Sequence, residues 1–349
     1  MIRELSLDDN IQLYKEYFDK AQYKTIYHHP QFLLAEEKAE DYRTYLYILA
    51  EKEGFVILPS IKRRINDIEI FKNETEEYFD LVTPHEYSGV IASEYNEELI
   101  RLFYKKLSVF CKNNQIIFSF IRFNPYRREH ELAENFCLIK SADQVYIDCN
   151  QEDITKEFSK LRIRNLKKAR KEGMSCVKVT KVLKNTEIFV ELYRKAMERL
   201  NAKRFFYFNE EYFEQLFKLD FADVFFVYDF EKQNVLAAAI ILKDDFNQVA
   251  YYHLACRNAE IDVNCAMVLL IESFSKELQE EGYTTVHLAG GPTESLRQFK
   301  ERFSTRRIEY YIGYNEIDNL RYRELCQLYC EKNVKYKDSD FLPLYRSGE

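Results

Sequence analysis

Apolar and polar residues alternate along the first third of the chain in short runs that predict a small sheet. The runs at 44–50, 55–65 and 77–84 combine β-branched and aromatic residues with polar turns between them, which is typical of successive strands. Apolar residues then recur at helical spacing over 99–110, and the run at 115–123 predicts a buried strand. This part of the chain is therefore predicted to form three strands, a helix and a fourth strand.

The same order of elements recurs later in the chain. Strands are predicted at 223–230, 235–244 and 247–256, an apolar stripe predicts a helix over 263–278, and 284–290 follows as a strand. Antiparallel strands followed by a helix that crosses back to a parallel strand, found twice, indicate an internal duplication. The predicted class is α/β (α+β), with two tandem domains of mixed, mostly antiparallel sheets flanked by helices.

Two amphipathic helices are predicted between the repeats, over 153–172 and 186–201. We place the domain boundary near residue 150, because Asp153 or Thr155 suits the cap of the first of these helices. The tail contains another short helix and is expected to pack back on one of the domains. The predicted segments are an N-terminal domain, a C-terminal domain and this tail: 1–150, 151–315 and 316–349.

Composition narrows the class of protein. The chain has 349 residues, 46% of them hydrophobic, which fits two globular domains of roughly 100–200 residues each. It contains no run of about 18 apolar residues. The start MIRELSLDDN lacks the basic and then apolar pattern of a signal peptide. We therefore expect a cytoplasmic protein without a transmembrane segment, for which peripheral membrane contact stays open.

Charge and cysteine usage change the picture less. The net charge of −7 argues against a surface that binds nucleic acid along its whole length. Between Lys156 and Lys171, however, eight basic residues face only one acid, Glu157, so one local basic site is predicted on an acidic protein. The eight cysteines include no C-x-x-C pair and no clustered His/Cys set, so we expect reduced thiols and no metal site.

Four local patterns resemble the motifs of one family. They are HHPQF at 28–32, TPHEYSGV at 83–90, LRIRNLKKARKEG at 161–173 and HLAGGPTESLRQFKERFS at 287–304. Their order is that of the FemAB-like branch of the GNAT acyltransferases. Four positions depart from the family pattern within the second and fourth motifs: His85, Ser88, Ala289 and Ser304.

This resemblance implies an N-acyltransferase that moves an acyl group from an activated donor to an amine. It implies acyl-CoA or aminoacyl-tRNA as co-substrate and no tightly bound cofactor. The implied acceptor is a nucleotide-linked or lipid-linked glycan or peptidoglycan precursor. Two alternatives stay open: an aminoacyl-tRNA-dependent transferase of FemAB type with tRNA as partner, and a non-catalytic member that binds a nucleotide sugar.

An amine that attacks a thioester or ester forms a tetrahedral oxyanion, which backbone N–H groups or a cation stabilise. In GNAT domains the fourth strand offers such N–H groups, and here that strand is QVAYYHLAC. The positions expected to bind the donor through their backbone are Leu254, Ala255 and Cys256.

Three further residues are candidates for donor binding. Gly290 and Gly291 permit a close backbone approach or a positive φ at the end of a strand. Asn264 suits either a ligand or a helix cap. The preceding turn, RNAEIDV, has no glycine, so a CoA pyrophosphate held at the helix N-terminus would need other contacts.

Two side chains are candidates for catalysis. The resemblance to a Phe-Lys-x-x-Phe motif places Lys300 near the acyl carbonyl or an acceptor phosphate. His253 lies in the central strand, and its unperturbed pKa suits a general base, although a lone histidine in a strand is more often a packed core residue. We expect the chemistry in the second domain, with the first helping to hold the acceptor. The candidates for acceptor binding are Lys38, Tyr87, Arg164, Asn165, Lys168 and Tyr207.

Overall fold

The computed structural model describes the backbone of residues 1–40, 42–84, 86–258, 260–261, 264–291 and 293–348. The side chains of these residues are described except those of Glu40, Phe205 and Asn264. The chain divides into two compact units, and each is described by itself. The first unit comprises 1–141 and 310–349, and the second comprises 142–309.

The first unit is one sheet with helices. Its elements are β1 (Arg3–Ser6), α1 (Ile11–Lys20), α2 (Pro30–Glu40), β2 (Thr44–Glu51), β3 (Gly54–Arg64), β4 (Phe79–Val82), β5 (Ile91–Ala92), α3 (Glu97–Asn113), β6 (Ile116–Arg122) and β7 (Cys137–Lys140).

The second unit also forms one sheet with helices, and the chain then returns to the first unit. Its elements are β8 (Gln144–Asp148), α4 (Lys160–Lys171), β9 (Ser175–Lys178), α5 (Leu183–Arg199), α6 (Glu210–Lys218), β10 (Ala222–Tyr228), β11 (Val235–Asp244), β12 (Val249–Arg257), α7 (Asn264–Glu280), β13 (Thr285–Ala289), α8 (Glu294–Glu301) and β14 (Arg307–Ile308). The returning elements are β15 (Tyr311–Glu316) and α9 (Asn319–Lys332).

The two sheets have the same plan. The first runs in the order β1-β2-β3-β4-β6-β15-β7, with β5 beside β3, and the second runs β9-β10-β11-β12-β13-β8-β14. In each sheet the strands at the third and fourth positions, β3 with β4 or β11 with β12, are antiparallel. The next pair, β4 with β6 or β12 with β13, is parallel. A helix, α3 or α7, connects the two parallel strands. The predicted order of strands and helix is thus confirmed in both units.

The sixth position of each sheet explains why the units differ from the predicted segments. β8 lies before the predicted boundary at 150 but pairs with β13, so it belongs to the second unit. β15 begins at Tyr311, before the predicted tail at 316, and pairs with β6 of the first unit. Both pairings join residues far apart in sequence, which local patterns of hydrophobicity do not reveal.

The helix predicted over 153–172 is broken. Asp153 caps a short 3₁₀ turn by accepting a hydrogen bond from the Thr155 N–H at 2.9 Å. Phe158 then takes an extended conformation, and Ser159 caps α4 by accepting from the Arg162 N–H. The apolar stripe is continuous across the break because Phe158, Leu166 and Ala169 are all buried in the core of the second unit.

Each unit has its own apolar core. α3 buries the side of its helix that carries Ile100, Phe103 and Leu107, and its N-terminus is capped by Asn96. In the second unit, α4 and α7 pack against one face of the sheet. Helices α5 and α6 pack against β12 and β10. None of the helices in the described part of the chain combines the length and the hydropathy that a membrane crossing requires.

The end of the chain is fastened to the first sheet through a buried carboxylate. Asp80 of β4 is fully buried, and it accepts hydrogen bonds from Arg63 Nε at 2.6 Å, Arg346 Nε at 2.7 Å and the Tyr345 hydroxyl at 3.2 Å. Burial alone would raise the pKa of Asp80, but the charges of Arg63 and Arg346 hold it below its ordinary value. The tail therefore packs on the first unit.

Candidate functional site

In the second unit, the two parallel strands separate at one end. β12 and β13 pair only from Val249–Thr285 to Tyr251–His287. Beyond that point β12 continues beside β11, and β13 continues beside β8. The side of β12 that faces β13 therefore loses its strand partner after Tyr251, which leaves a gap between the strands. We call this space the β12–β13 gap.

Both strands are irregular at this gap. In β12 the pairing with β11 skips His253, since Ile241 faces Tyr252 and Ile240 faces Leu254. In β13 the pairing with β8 shifts between His287 and Ala289. A bulge bends a strand and increases its twist, so these two irregularities contribute to the divergence of the strands.

The backbone positions expected to bind the donor follow the bulge directly. Leu254 and Cys256 are buried, and Ala255 is half-buried. All three pair with β11, and in an antiparallel ladder successive residues direct their backbone groups alternately toward the partner strand and away from it, so only alternate residues of this stretch present an N–H group on the side from which β13 has diverged. This stretch of β12 therefore borders the gap, and donor binding by its backbone stays a prediction.

Lys300 is a buried lysine beside the same gap. It lies in the last turn of α8, whose N-terminus is capped by Thr293, and only 7% of the residue is exposed. Its Nζ lies 5.7 Å from the centroid of the Tyr252 ring, which in turn stacks on Phe274 of α7. An ammonium with so little access to water acts more strongly on nearby charge than an exposed one does.

The charge of Lys300 also acts on a neighbouring histidine. His287 is almost fully buried in β13, and its ring makes an edge contact with Tyr251. Burial, and then the nearby charge of Lys300, lower the pKa of His287 to about 3. His287 is therefore neutral at physiological pH, and Lys300 is the cation at this end of β13.

Arg162, which no sequence pattern singled out from the basic run, supports the helix that carries Lys300. Its guanidinium donates to the Phe299 carbonyl at 3.0 Å and stacks over the rings of Phe299 and Phe303, 4.1 and 4.8 Å from their centroids. Burial, and then the charge of Arg302, lower the pKa of Arg162 to about 10. Phe299 and Phe303, which flank Lys300, therefore join α8 to Arg162 of α4. The sequence signals for this contact were the spacing of the two phenylalanines and the basic helix.

A second contact fixes the far end of α8. The Glu157 carboxylate accepts hydrogen bonds from the Ser304 hydroxyl at 2.8 Å, from the Thr305 N–H at 3.0 Å and from Arg306 Nε at 3.0 Å. Burial would raise the pKa of Glu157, but these donors lower it to about 2. The one acid in the basic segment thus ties the 3₁₀ turn to the chain that follows α8.

Of the two predictions for the glycine pair after β13, a close backbone approach or a positive φ, the second is wrong. Neither glycine has a positive φ; that conformation belongs to Ala289, at 61°. A Cβ on Gly290 would meet Gln144 Nε2 at 3.1 Å, and a Cβ on Gly291 would meet Leu296 Cγ at 3.0 Å. The glycines therefore let β13 turn closely against β8 and α8.

His253 is held by a helix rather than facing Lys300. Its Nε2 lies 3.0 Å from the hydroxyl of Tyr212 in α6, and its Nδ1 atom is buried. Lys300, by contrast, lies against Tyr252, whose ring contacts α7. The two predicted catalytic side chains therefore make their contacts with different helices, although their backbones border the same gap.

The candidates for acceptor binding are divided between the units. Lys38 is exposed on α2, and Tyr87 is a buried ring that makes edge contacts with Tyr27 and Tyr310 at 5.8 and 5.4 Å. Both belong to the first unit. The packing of Tyr87 shows a core role for its ring.

The other four belong to the second unit. Arg164 and Lys168 are exposed on α4 and Asn165 is half-buried, whereas Tyr207 is 43% exposed between α5 and α6. α4 packs with α7, and α5 packs with α6 and β12. The structure therefore separates Tyr207 from the three residues of α4.

The remaining donor candidate falls outside the described structure. The helix α7 begins at Asn264, but the Asn264 side chain lies outside the described residues, as do Ala259, Asp262 and Val263 before it. His85, which departs from the family pattern, and Pro292, after the glycine pair, also lie outside them. Among the residues that are described, no group of three or more His, Cys, Asp or Glu side chains is placed to hold a metal ion.

The second unit also has a cavity of about 400 Å³ away from this chemistry. Its described lining comes from 152–155 and from α4 and α7, and it includes Lys167, Glu272 and Lys276. The Glu272 carboxylate is already paired with Arg170 at 2.9 Å and with Lys276 at 2.6 Å. Because the described lining as a whole carries three acidic and three basic side chains and so has no net charge, we place the candidate site at the β12–β13 gap instead.

The equivalent strands of the first unit stay closed. After β4, the Thr83 N–H donates to the Phe120 carbonyl, and the Arg122 N–H donates to Thr83 Oγ1, each at 3.1 Å. The Arg122 guanidinium donates to the Thr83 carbonyl, and Ser88 forms a parallel bridge with Phe123. These bonds fill the position that is open in the second unit.

Two tandem GNAT-type units of this kind define the fold class, and comparisons with solved structures support it. FemX matches over 92% of this chain and 99% of its own, with 11% identity and a TM-score of 0.64. L-PGS from Bacillus licheniformis matches over 87% of this chain and 91% of its own, with 12% identity and a TM-score of 0.58. A tandem GNAT protein from the clavulanic acid biosynthesis pathway matches over 91% and 99%, with 9% identity and a TM-score of 0.52.

At these identities the likeness establishes the fold. The chain therefore has the FemAB-like, GNAT-type tandem fold that its motifs predicted. No protein-family profile matches the sequence, and no curated protein sequence matches it.

Proposed function

We propose that this protein is an N-acyltransferase whose reacting acyl carbon lies in the β12–β13 gap of the second unit. The observation that carries the proposal is a lysine ammonium, only 7% exposed, placed beside a strand whose backbone has lost its partner. A developing oxyanion needs such preorganised donors in a site from which water is largely excluded.

The proposed reaction needs no covalent enzyme intermediate. The acceptor amine, once it has lost a proton, attacks the acyl carbon, so that a C–N bond forms and the C–S bond of a thioester or the C–O bond of an ester breaks. The attacking nitrogen then loses its second proton, and the thiolate or alkoxide leaves and takes up that proton. In this scheme the N–H groups within residues 254–256 that face the gap and the charge of Lys300 stabilise the tetrahedral oxyanion.

We do not assign the removal of the amine proton to His253. A general base must come within about 3 Å of the proton that it accepts. His253 Nε2 lies 3.0 Å from the Tyr212 hydroxyl and Nδ1 is buried, so we assign the imidazole to this contact with α6. An amine that enters already neutral has one proton to lose after attack, and in this scheme the leaving group takes up that proton.

We propose an acyl-CoA-type donor and, from the family resemblance, an acceptor amine on a nucleotide-linked or lipid-linked glycan or peptidoglycan precursor. An aminoacyl-tRNA donor is the second candidate, and one observation favours it. The exposed side of α4 carries Arg164, Lys167 and Lys168, a basic surface suited to the phosphates of an acceptor stem.

The test is a mass-spectrometric transfer assay with acetyl-CoA, a longer acyl-CoA or charged tRNA as donor, and UDP-linked and lipid-linked precursors as acceptors. We expect a product whose mass has increased by one acyl group, and its loss in Lys300→Met. Lys184→Met, an exposed lysine of α5, is the matched control. Thermal-shift binding of each donor provides a second readout. Absence of transfer and of donor binding would contradict the proposal and favour a binding protein.

A further inference from the structure

We propose that Tyr212 is a positioning residue that acts through His253 to hold the bulge in β12. This inference rests on the proposed function, because the bulge sets the direction of the backbone N–H groups assigned to the oxyanion. Tyr212 touches neither donor nor acceptor in this proposal. Its contribution is to fix the strand from the side opposite to α7.

The bulge is the point at which β12 changes its backbone direction. One residue, His253, stands between Tyr252 and Leu254 without a partner position on β11. A residue inserted in this way disrupts the ladder locally and re-aims the residues that follow it. The residues that follow are those assigned to the oxyanion, so the conformation at His253 decides where their N–H groups point.

A bulged residue is held by few ladder hydrogen bonds, and here a side chain supplies a further restraint. The Tyr212 hydroxyl and His253 Nε2 lie 3.0 Å apart. Tyr212 is fully buried, and its own N–H donates to Asn209 Oδ1 at 2.9 Å, which caps α6. The tyrosine is thus fixed at both its backbone and its hydroxyl.

The surroundings of Tyr212 make it a rigid support. Its ring lies 4.6 Å from that of Phe208 and 5.8 Å from that of Phe213. Phe213 packs in turn on Tyr193 and Phe189 of α5, at 5.3 and 5.9 Å. Groups that position a site are most effective when packing already restricts their rotamers, and this aromatic cluster provides such packing.

If His253 holds the strand, glutamine at this position should preserve activity, whereas a general base could not be replaced by glutamine. Glutamine places an amide about where imidazole has Nε2, so it preserves a hydrogen bond to Tyr212 but cannot accept a proton at neutral pH. Alanine removes both functions. The pair His253→Gln and His253→Ala therefore separates a strand anchor from a proton acceptor.

The experiment measures amide hydrogen exchange of residues 253–256 by NMR in the wild type, Tyr212→Phe, His253→Gln and His253→Ala. Tyr193→Phe is the matched control, since its ring lies in the same aromatic cluster. Melting temperature and transfer rate are measured on the same samples. We expect exchange at 254–256 to accelerate roughly five- to tenfold in Tyr212→Phe and His253→Ala, the effect of about one lost hydrogen bond. We expect the melting temperature of Tyr212→Phe to lie no more than about 2–4 °C below that of Tyr193→Phe, the effect of one lost hydrogen bond.

In the transfer assay we expect a lower kcat with unchanged KM in Tyr212→Phe, and rescue in His253→Gln relative to His253→Ala. Equal loss in both His253 variants would assign proton transfer to the histidine and overturn the inference, as would unchanged exchange in Tyr212→Phe. If no donor supports transfer, the proposed function fails. The exchange data still decide whether Tyr212 holds the bulge, because they require no substrate.

Discussion

In the first unit the parallel strands β4 and β6 stay joined beyond the end of β4, whereas in the second unit β12 and β13 separate after Tyr251 and His287. The sheets have the same strand order, so topology does not cause the difference. The cause is local: Thr83 and Arg122 satisfy the backbone in the first unit, and a bulge and a left-handed Ala289 divert the strands in the second.

This contrast shows how one architecture serves stability in one copy and a candidate site in the other. Buried backbone N–H and C=O groups are nearly always paired, and the first unit pairs them within the protein. The second unit leaves strand edges available to a ligand and places a buried lysine beside them. Changes at the closed position should therefore alter stability, and changes at the open one should alter transfer.

The largest expected effect is on the stability of the first unit. Asp80→Asn leaves Arg63 and Arg346 without their shared buried carboxylate. Breaking a buried ion pair in this way costs about 3–5 kcal/mol. Denaturant unfolding should show this loss, and the variant should retain its transfer rate at temperatures where it is folded. A melting curve like that of the wild type would contradict the conclusion that Asp80 holds the C-terminal tail on the first unit.

The second effect is on the chemistry of the second unit. Lys300→Met preserves the length of the stem and removes the charge. Removal of one oxyanion donor lowers kcat by about 10²–10³-fold, and we expect a loss of this size with folding retained. Circular dichroism and the transfer assay check both parts. A transfer rate like that of Lys184→Met would remove Lys300 from the site.

The third prediction concerns pH and the first unit. Glu129 is fully buried, and burial raises its pKa from 4.5 to about 7, although Tyr104, Arg127 and the Val90 N–H oppose the shift. Between these values the folded state binds a proton that the unfolded state releases. Stability should therefore fall as pH rises from about 4.5 through 7, by about 3 kcal/mol in total. Unfolding of Glu129→Gln over this range should lack that slope, and a slope equal to the wild type would contradict the assignment.

The fourth prediction concerns a substitution that weakens the closed position between β4 and β6 of the first unit. Thr83→Val removes the hydroxyl that accepts from the Arg122 N–H. A buried donor left without its acceptor costs about 1–3 kcal/mol. Hydrogen exchange at Arg122 should accelerate accordingly, while exchange at 254–256 should not change. Equal acceleration of exchange at Arg122 and at 254–256 would mean that the closed position of the first unit and the β12–β13 gap are not independent.

The smallest effect is expected at Ala289. Its φ of 61° is unfavourable for a residue with a Cβ, by about 1–2 kcal/mol. Glycine removes that strain, but it also makes the unfolded chain more flexible, which lowers the free energy of unfolding by about 0.5–1 kcal/mol. Ala289→Gly should therefore stabilise the protein by about 0–1.5 kcal/mol. Clear destabilisation in thermal unfolding would show that the Ala289 side chain contributes packing that outweighs the strain.

Local patterns predicted the repeated strands and helices of both units well, since each depends on residues close in sequence. They did not predict that β8 and β15 complete the sheets, because those pairings join distant segments. The break before α4 was missed because the apolar stripe runs through it.

The candidate site itself stays a prediction, and the sequence indicated some of its residues but not their contacts. The motif containing Lys300 indicated the residue, but its burial beside Tyr252 depends on how α8 packs. The Tyr212 contact of His253 was not foreseeable, because it joins a helix and a strand that local patterns treat separately. The positive φ was expected at the glycines and occurs at Ala289, since the turn begins one residue earlier.

The central claim is that a donor binds in the open gap of the second unit and not at the closed position of the first. The most direct measurement is an amide NMR titration of deuterated protein with acetyl-CoA and, separately, with a non-hydrolysable aminoacyl-adenosine. We predict shifts concentrated at residues 252–256 and 288–291. Shifts centred on residues 83 and 120–123, or none at 252–256 with either probe, would contradict the claim.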